Sequence, residues 1–183
     1  DLGQGEHFLM YPVVDQGRAL ANLIVTCTTR DQITDEARDS IRKIADRLGV
    51  ALSSLEKDAL LYRQAHFDAL TGLPNRLLFM DRIEQEISHA RRENRKLALL
   101  FVDLDRFKDI NDTLGHGAGD EVLAESAVRL RNCLRDSDTV ARLGGDEFTV
   151  LVPDVTTAHG AGTVCENLLV VLSEPFVVSG QQR

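Results

Sequence analysis

The strongest constraint on the fold is a pair of apolar runs that each end in acid. Leu97 to Val102 is continuously apolar and runs into Asp103 and Asp105. Val140 to Leu143 and Phe148 to Val152 flank Gly144-Gly145, with Asp146 and Glu147 following in the turn. Two β-runs joined through Gly-Gly read as a hairpin, because glycine reaches the conformations that tight connections need. Around these runs the hydrophobic period becomes helical: Phe79, Ile83 and Ile87 line one face, Leu123, Ala127, Leu130 and Leu134 another, and Ala158 to Leu172 reads as a third helix. Leu73-Pro74-Asn75 is a turn before the first helix, and Pro175 to Val178 starts a strand after the last. Strands alternating with helices from Asp68 onward predict an α/β (α+β) domain with a mixed sheet.

The first third of the chain is of another kind. Phe8 to Val14 and Arg18 to Thr28 are β-rich, and Asp15-Gln16-Gly17 predicts a three-residue hairpin connection with Gly17 left-handed. Thr34 is placed to cap a helix, Asp35 and Glu36 suit its positive end, and Ala37, Ile41, Ile44 and Leu48 mark an apolar stripe. The stripe resumes at Leu52, Leu55, Ala59 and Tyr62 after a four-residue step beside Gly49. It can pair with a second copy or pack on the chain's own sheet. A strand pair leading into such a helix resembles the C-terminal part of a GAF sensor domain running into a signalling helix, with residues 1–33 as the sensor end and 34–67 as the helix.

Composition narrows the functions. The 183 residues, 43% hydrophobic, suffice for one full domain and part of another. A net charge of -8, from 21 basic and 29 acidic residues, argues against a nucleic-acid partner, which needs clustered Lys and Arg. Cys27, Cys133 and Cys165 are odd in number and widely spaced, which points to buried thiols in a reducing, cytoplasmic setting rather than to disulfides or zinc. No apolar run reaches the 18 or so residues of a membrane span, and Asp1-Leu2-Gly3-Gln4-Gly5 reads as an internal cut.

Carboxylates that end neighbouring strands can converge on a hard cation such as Mg²⁺, which takes few carboxylates and completes its shell with phosphate oxygens. They can equally be solvated loop residues. Gly144-Gly145-Asp146-Glu147-Phe148 is the signature of the GGDEF family of diguanylate cyclases. Asp68-Ala69-Leu70-Thr71-Gly72-Leu73-Pro74-Asn75-Arg76 resembles that family's opening motif. Phe101 to Asp112 resembles its metal-and-nucleotide segment, continued by Gly115-His116-Gly117-Ala118-Gly119-Asp120. The resemblance covers residues 68–183 and implies a fold similar to nucleotidyl cyclases and polymerase palms.

By that resemblance, Asp103, Asp146 and Glu147 are the ligands of Mg²⁺ or Mn²⁺, with Asp146 and Glu147 catalytic and Glu147 also a candidate base. Lys108 would meet a phosphate, Gly144 and Gly145 would admit the polyphosphate, and Asn111 and Asp120 would read guanine. Asp120 could instead, or in addition, cap a helix over residues 122–134, and His116 reads as a loop hydrogen-bonder. The implied reaction is attack of one GTP 3′-hydroxyl on the α-phosphate of a second GTP, giving cyclic di-GMP and pyrophosphate. Each domain holds one GTP, so a homodimer is implied. Arg135 and Asp138, an Arg-x-x-Asp pair ahead of the signature, resemble the family's inhibitory product site; the other reading is a charged helix end. A different class stays open: a silent domain that binds GTP or cyclic di-GMP and regulates a linked EAL phosphodiesterase. The family's domain continues past Arg183 with a strand and helix bearing further basic residues, so weak turnover is expected of this length of chain, and the Pro175 to Gly180 ending resembles chains that continue into an EAL domain.

Overall fold

In the computed structural model, which describes residues 7–28, 34–155, 158–178 and 181–182, the chain divides into two units, Asp1–Tyr62 and Arg63–Arg183. In the first, strand β1 (His7–Asp15) pairs antiparallel with β2 (Arg18–Cys27), with a bulge between Val13 and Val14. Asp15 pairs with Arg18, so the connection is the two residues Gln16 and Gly17, not three. Both are left-handed, with φ 46 and 82, the mirror-image turn whose twist matches that of the strands.

Helix α1 (Asp35–His66) starts as its sequence requires, with the Thr34 hydroxyl accepting from the Ala37 N–H at 3.1 Å. It runs through Gly49 without a break. A Cβ added at Gly49 would stand 2.3 Å from the Val14 carbonyl oxygen, so this glycine lets helix and hairpin touch backbone to backbone. Ala45, one turn earlier, is buried with it. The part of α1 that packs on the hairpin is therefore Ala45 and Gly49, while Ile44 and Leu48 of the expected stripe are exposed. Beyond Gly49, Leu55, Leu60, Leu61 and Tyr62 are all more than half exposed.

The second unit opens with α2 (Arg76–Glu93). Asn75 caps it by accepting from Leu78 N–H, while its own amide donates to Ala65 O. Then follow β3 (Ala98–Asp103), α3 (Phe107–Leu114), α4 (His116–Cys133), β4 (Thr139–Gly144), β5 (Glu147–Val152), α5 (Ala158–Ser173), and the short pair β6 (Val177–Val178) and β7 (Gln181–Gln182). The three-stranded sheet has the order β3-β5-β4. Helices flank the sheet as the alternating pattern requires, an α/β architecture, and every ladder among the described residues is antiparallel. Central β5 is buried from Phe148 to Val152. Phe148, Val150 and Val152 pack with Leu123, Ala127 and Leu130 of α4 and Leu168 of α5; Leu151 packs with Ala141 and with Phe79 of α2. Each such side chain contributes about 2 kcal/mol by leaving water, which fixes β5 and hence the residues at its start.

Arg129 of α4 ties down the end of α5. Its guanidinium donates to the carbonyls of Val171, Glu174 and Pro175 at 3.1, 2.7 and 2.8 Å, pairs with Glu125, and lies 4.1 Å from the Phe176 ring centroid. The three cysteines form no disulfide, and they are half-buried where burial was expected.

Candidate active site

The hairpin places the acidic residues by strand register. Asp103, the last residue of β3, stands opposite Glu147, the first of β5, one row beyond half-buried Val102 and buried Phe148. Gly144 pairs with Glu147, leaving Gly145 and Asp146 as the turn. Gly144 has φ 146 and Gly145 φ 56, and a Cβ on either would meet nothing within 4 Å. Backbone conformation, not crowding, is what asks for glycine here, and the open space is where a bulky ligand can approach. Asp103 and Glu147 are exposed and Asp146 half-buried. Asp105 lies outside this row and lines a hollow of about 350 Å³ with Ile110, Val122 and Phe176.

One residue that builds the site escaped the sequence reading. Arg142 of β4 donates from Nε and Nη2 to Gly145 O at 3.0 and 2.7 Å, and from Nη1 to both carboxylate oxygens of Asp68 at 3.0 and 3.2 Å. It thus holds the turn from one side and the opening motif from the other. The signal was present as a lone arginine inside the apolar run Val140 to Leu143. Asp68 also accepts from the Thr71 hydroxyl and N–H at 2.6 and 2.8 Å. Burial pushes the Asp68 carboxyl up, but the Thr71 hydrogen bonds and the Arg142 guanidinium outweigh it and hold the group below its usual value of 3.8.

The candidate base readers come together across a tight helix junction. Gly115, at φ 87, ends α3 and begins α4, and its N–H donates to Asn111 O at 2.9 Å. The half-buried Asn111 side chain reaches α4 at Gly119, the residue before Asp120. Asp120 does not cap its helix as the sequence allowed: α4 starts at His116, so Asp120 lies inside it and its exposed carboxylate is released from capping. His116 is likewise the first residue of α4 rather than a loop residue. Lys108 is exposed in the first turn of α3.

Arg135 and Asp138 sit elsewhere, at the start of β4, separated from the Gly-Gly turn by the strand's length of roughly 17 Å. Asp138 accepts from the Arg135 N–H at 3.1 Å, and its own N–H donates to Arg135 O at 2.9 Å, closing a small loop. Both residues line a cavity of about 220 Å³ whose far wall is Gly160, Thr163 and Asn167 of α5.

Residues 65–183 match the protein family described as diguanylate cyclase, GGDEF domain. The chain belongs to that GGDEF family. It is 46% identical over 124 residues to the diguanylate cyclase TpbB of Pseudomonas aeruginosa, covering 68% of this chain and 28% of TpbB. The solved structure of TpbB comprising only its GGDEF domain superposes with a TM-score of 0.63 at 45% identity, covering 64% of this chain and 69% of that one. The cyclic di-GMP phosphodiesterase NbdA of the same organism is 38% identical over 163 residues, 88% of this chain and 21% of NbdA. The solved coiled coil and GGDEF domain of DgcB from Caulobacter crescentus, in complex with c-di-GMP, has a TM-score of 0.63 at 29% identity, covering 69% of this chain and 65% of that one. This GGDEF chain thus spans about a quarter of the length of the curated relatives it matches. Among the described residues no helix is long and apolar enough to cross a membrane, and no three His, Cys, Asp or Glu side chains are grouped to hold a metal.

Proposed function

We propose that residues 68–183 form a diguanylate cyclase domain that joins two GTP molecules into cyclic di-GMP and pyrophosphate in the cytoplasm. The observation that carries this is the row Asp103–Glu147 beside the open Gly144-Gly145 turn. Two exposed carboxylates stand opposite each other there. Mg²⁺ or Mn²⁺ fits such a donor set, because these ions take one or two carboxylates and fill the remaining positions with water and phosphate oxygens; a caged trio is not required. The facing pair Asp103 and Glu147 would hold the ion, with Asp146 of the adjoining turn joining them once it is bound, and the bound ion would polarise phosphate oxygens as a Lewis acid.

The chain's own residues do the rest. Lys108 offers a compact charge to a phosphate, and Gly144 and Gly145 let the polyphosphate lie against backbone. Asp120 accepts from guanine N1 and N2, and Asn111 complements another part of the edge. Glu147 would take the proton of the attacking 3′-hydroxyl. One such set holds one nucleotide, so two chains face each other. The second half of α1 supports this, since its Leu52, Leu55, Ala59 and Tyr62 repeat in a coiled-coil pattern and Leu55 is exposed. The solved relative DgcB carries a coiled coil with its GGDEF domain. On this reading residues 1–33 end a GAF-type sensor, and Arg135 and Asp138 bind product and inhibit. The likeness to the phosphodiesterase NbdA favours a second reading, a silent domain that binds GTP or cyclic di-GMP and regulates a linked EAL domain. Cyclic di-GMP formed by the purified protein from GTP and Mg²⁺ separates them: product supports the cyclase, and nucleotide binding without product supports the regulator.

A further inference from the structure

We infer that Gly119 is a positioning residue that fixes the Asn111 amide and through it the choice of base. The inference rests on the reading of Asn111 as a guanine contact. A Cβ added at Gly119 would stand 2.1 Å from Asn111 Oδ1, 3.0 Å from its Cγ and 3.1 Å from Phe107 Cζ. The backbone gives no reason for glycine at this place. Gly119 lies inside α4 and is absent from the positive-φ glycines, and a helix interior favours alanine. Gly117, two residues earlier, supplies the contrast: a Cβ there meets nothing within 4 Å.

What must yield to a methyl group at Gly119 is decided by what is held. Phe107 is packed against the cluster of Ala118, Val122 and Val178, and the Asn111 backbone carbonyl is engaged by the Gly115 N–H. The Asn111 amide is the flexible end, so it swings. Gly119→Ala therefore displaces the reader while α3, α4 and Asp120 stay in place.

The test is calorimetry of GTP and of ATP, each with Mg²⁺, on the purified chain and on Gly119→Ala, Gly117→Ala, Asn111→Ala and the Asn111→Ala/Gly119→Ala double variant. Gly119→Ala is expected to lower the GTP-to-ATP affinity ratio about tenfold, the scale of one lost hydrogen bond to the base. Gly117→Ala is expected to leave it unchanged, and the double variant to fall no further than Asn111→Ala alone. If Asn111→Ala keeps the wild-type ratio, the guanine assignment fails and the inference falls with it. If Asn111→Ala lowers the ratio and Gly119→Ala does not, the assignment stands and this inference is overturned. Should Gly119→Ala unfold, as read by circular dichroism, the double variant decides: recovery of the fold identifies Asn111 as the obstacle, and continued unfolding makes Gly119 merely structural.

Discussion

Asp68 and the pair Asp103 and Glu147 are acidic residues tied to the same hairpin, and the fold treats them in opposite ways. Asp68 is half-buried and answered from within the chain, by Thr71 twice and by Arg142. Asp103 and Glu147 are exposed and set directly opposite each other, an arrangement of like charges that costs a sheet stability. A carboxylate that holds structure is satisfied from within; one kept for a ligand is left open at a local cost. On the proposed function, that cost is what a bound cation removes.

The largest expected effect breaks the open pair. In a chain that carries the complete domain, Asp103→Asn or Asp146→Asn is expected to lower cyclic di-GMP production at least about a hundredfold, as for loss of a metal ligand. Asp103→Asn should at the same time leave the melting temperature equal or slightly higher, since it removes the like-charge contact. Near-normal turnover in both variants would sink the assignment.

Next comes Asp120, another open carboxylate. ATP is expected to bind at least about tenfold more weakly than GTP, because adenine presents an acceptor at N1 to Asp120 and leaves the charge unanswered. Equal affinities by calorimetry would remove Asp120 and Asn111 from base recognition.

The closed carboxylate should behave as structure. Arg142→Ala is expected to cost about 2 kcal/mol in urea unfolding, because it leaves a part-buried carboxylate with Thr71 alone and removes the side-chain donor to the Gly145 carbonyl. Since the folded Asp68 pKa lies below 3.8, its contribution is present above that value and fades as pH falls through the lowered folded one. The Asp68→Asn variant should therefore show a shallower loss of stability on acidification. Identical acid profiles would mean that Asp68 carries none of it.

The smallest effect on rate belongs to Arg135. Arg135→Ala is expected to leave the initial rate nearly intact while weakening inhibition by cyclic di-GMP, because its loop lies a strand's length from the turn. Unchanged inhibition would return Arg135 and Asp138 to the role of a charged loop.

Signals of short range were legible in the sequence. The apolar run of β3, the Gly-Gly turn and the Thr34 cap each depend on residues within a few positions of one another. What escaped depends on distance or on missing cues. Arg142 has meaning only with Asp68, 74 residues away. Helix α3 has eight residues and is preceded at its cap position by Arg106, left-handed at φ 59 with no side-chain cap, so neither length nor capping announces it. With α3 unseen, the start of α4 was placed too late and Asp120 was read as a possible cap. The role of Gly49 escaped because its partner is the backbone of Val14, which no side-chain pattern encodes. In the site, the strand-end acids were legible as a group, while the row joining Asp103 to Glu147 emerged only from register.

Arg129 has a consequence for the order in which the domain comes apart. One side chain holds the last carbonyls of α5 and the ring that precedes β6, and Val178 of β6 packs on Ala118 and Val122, on either side of Gly119 and Asp120 in α4. The end of α5, β6 and the front of α4 thus form one cooperative opening unit that can melt before the core around Phe148 does. In amide hydrogen exchange these segments should lose protection together, and on the proposed function warming would then take away the grip on the base while the sheet is still folded.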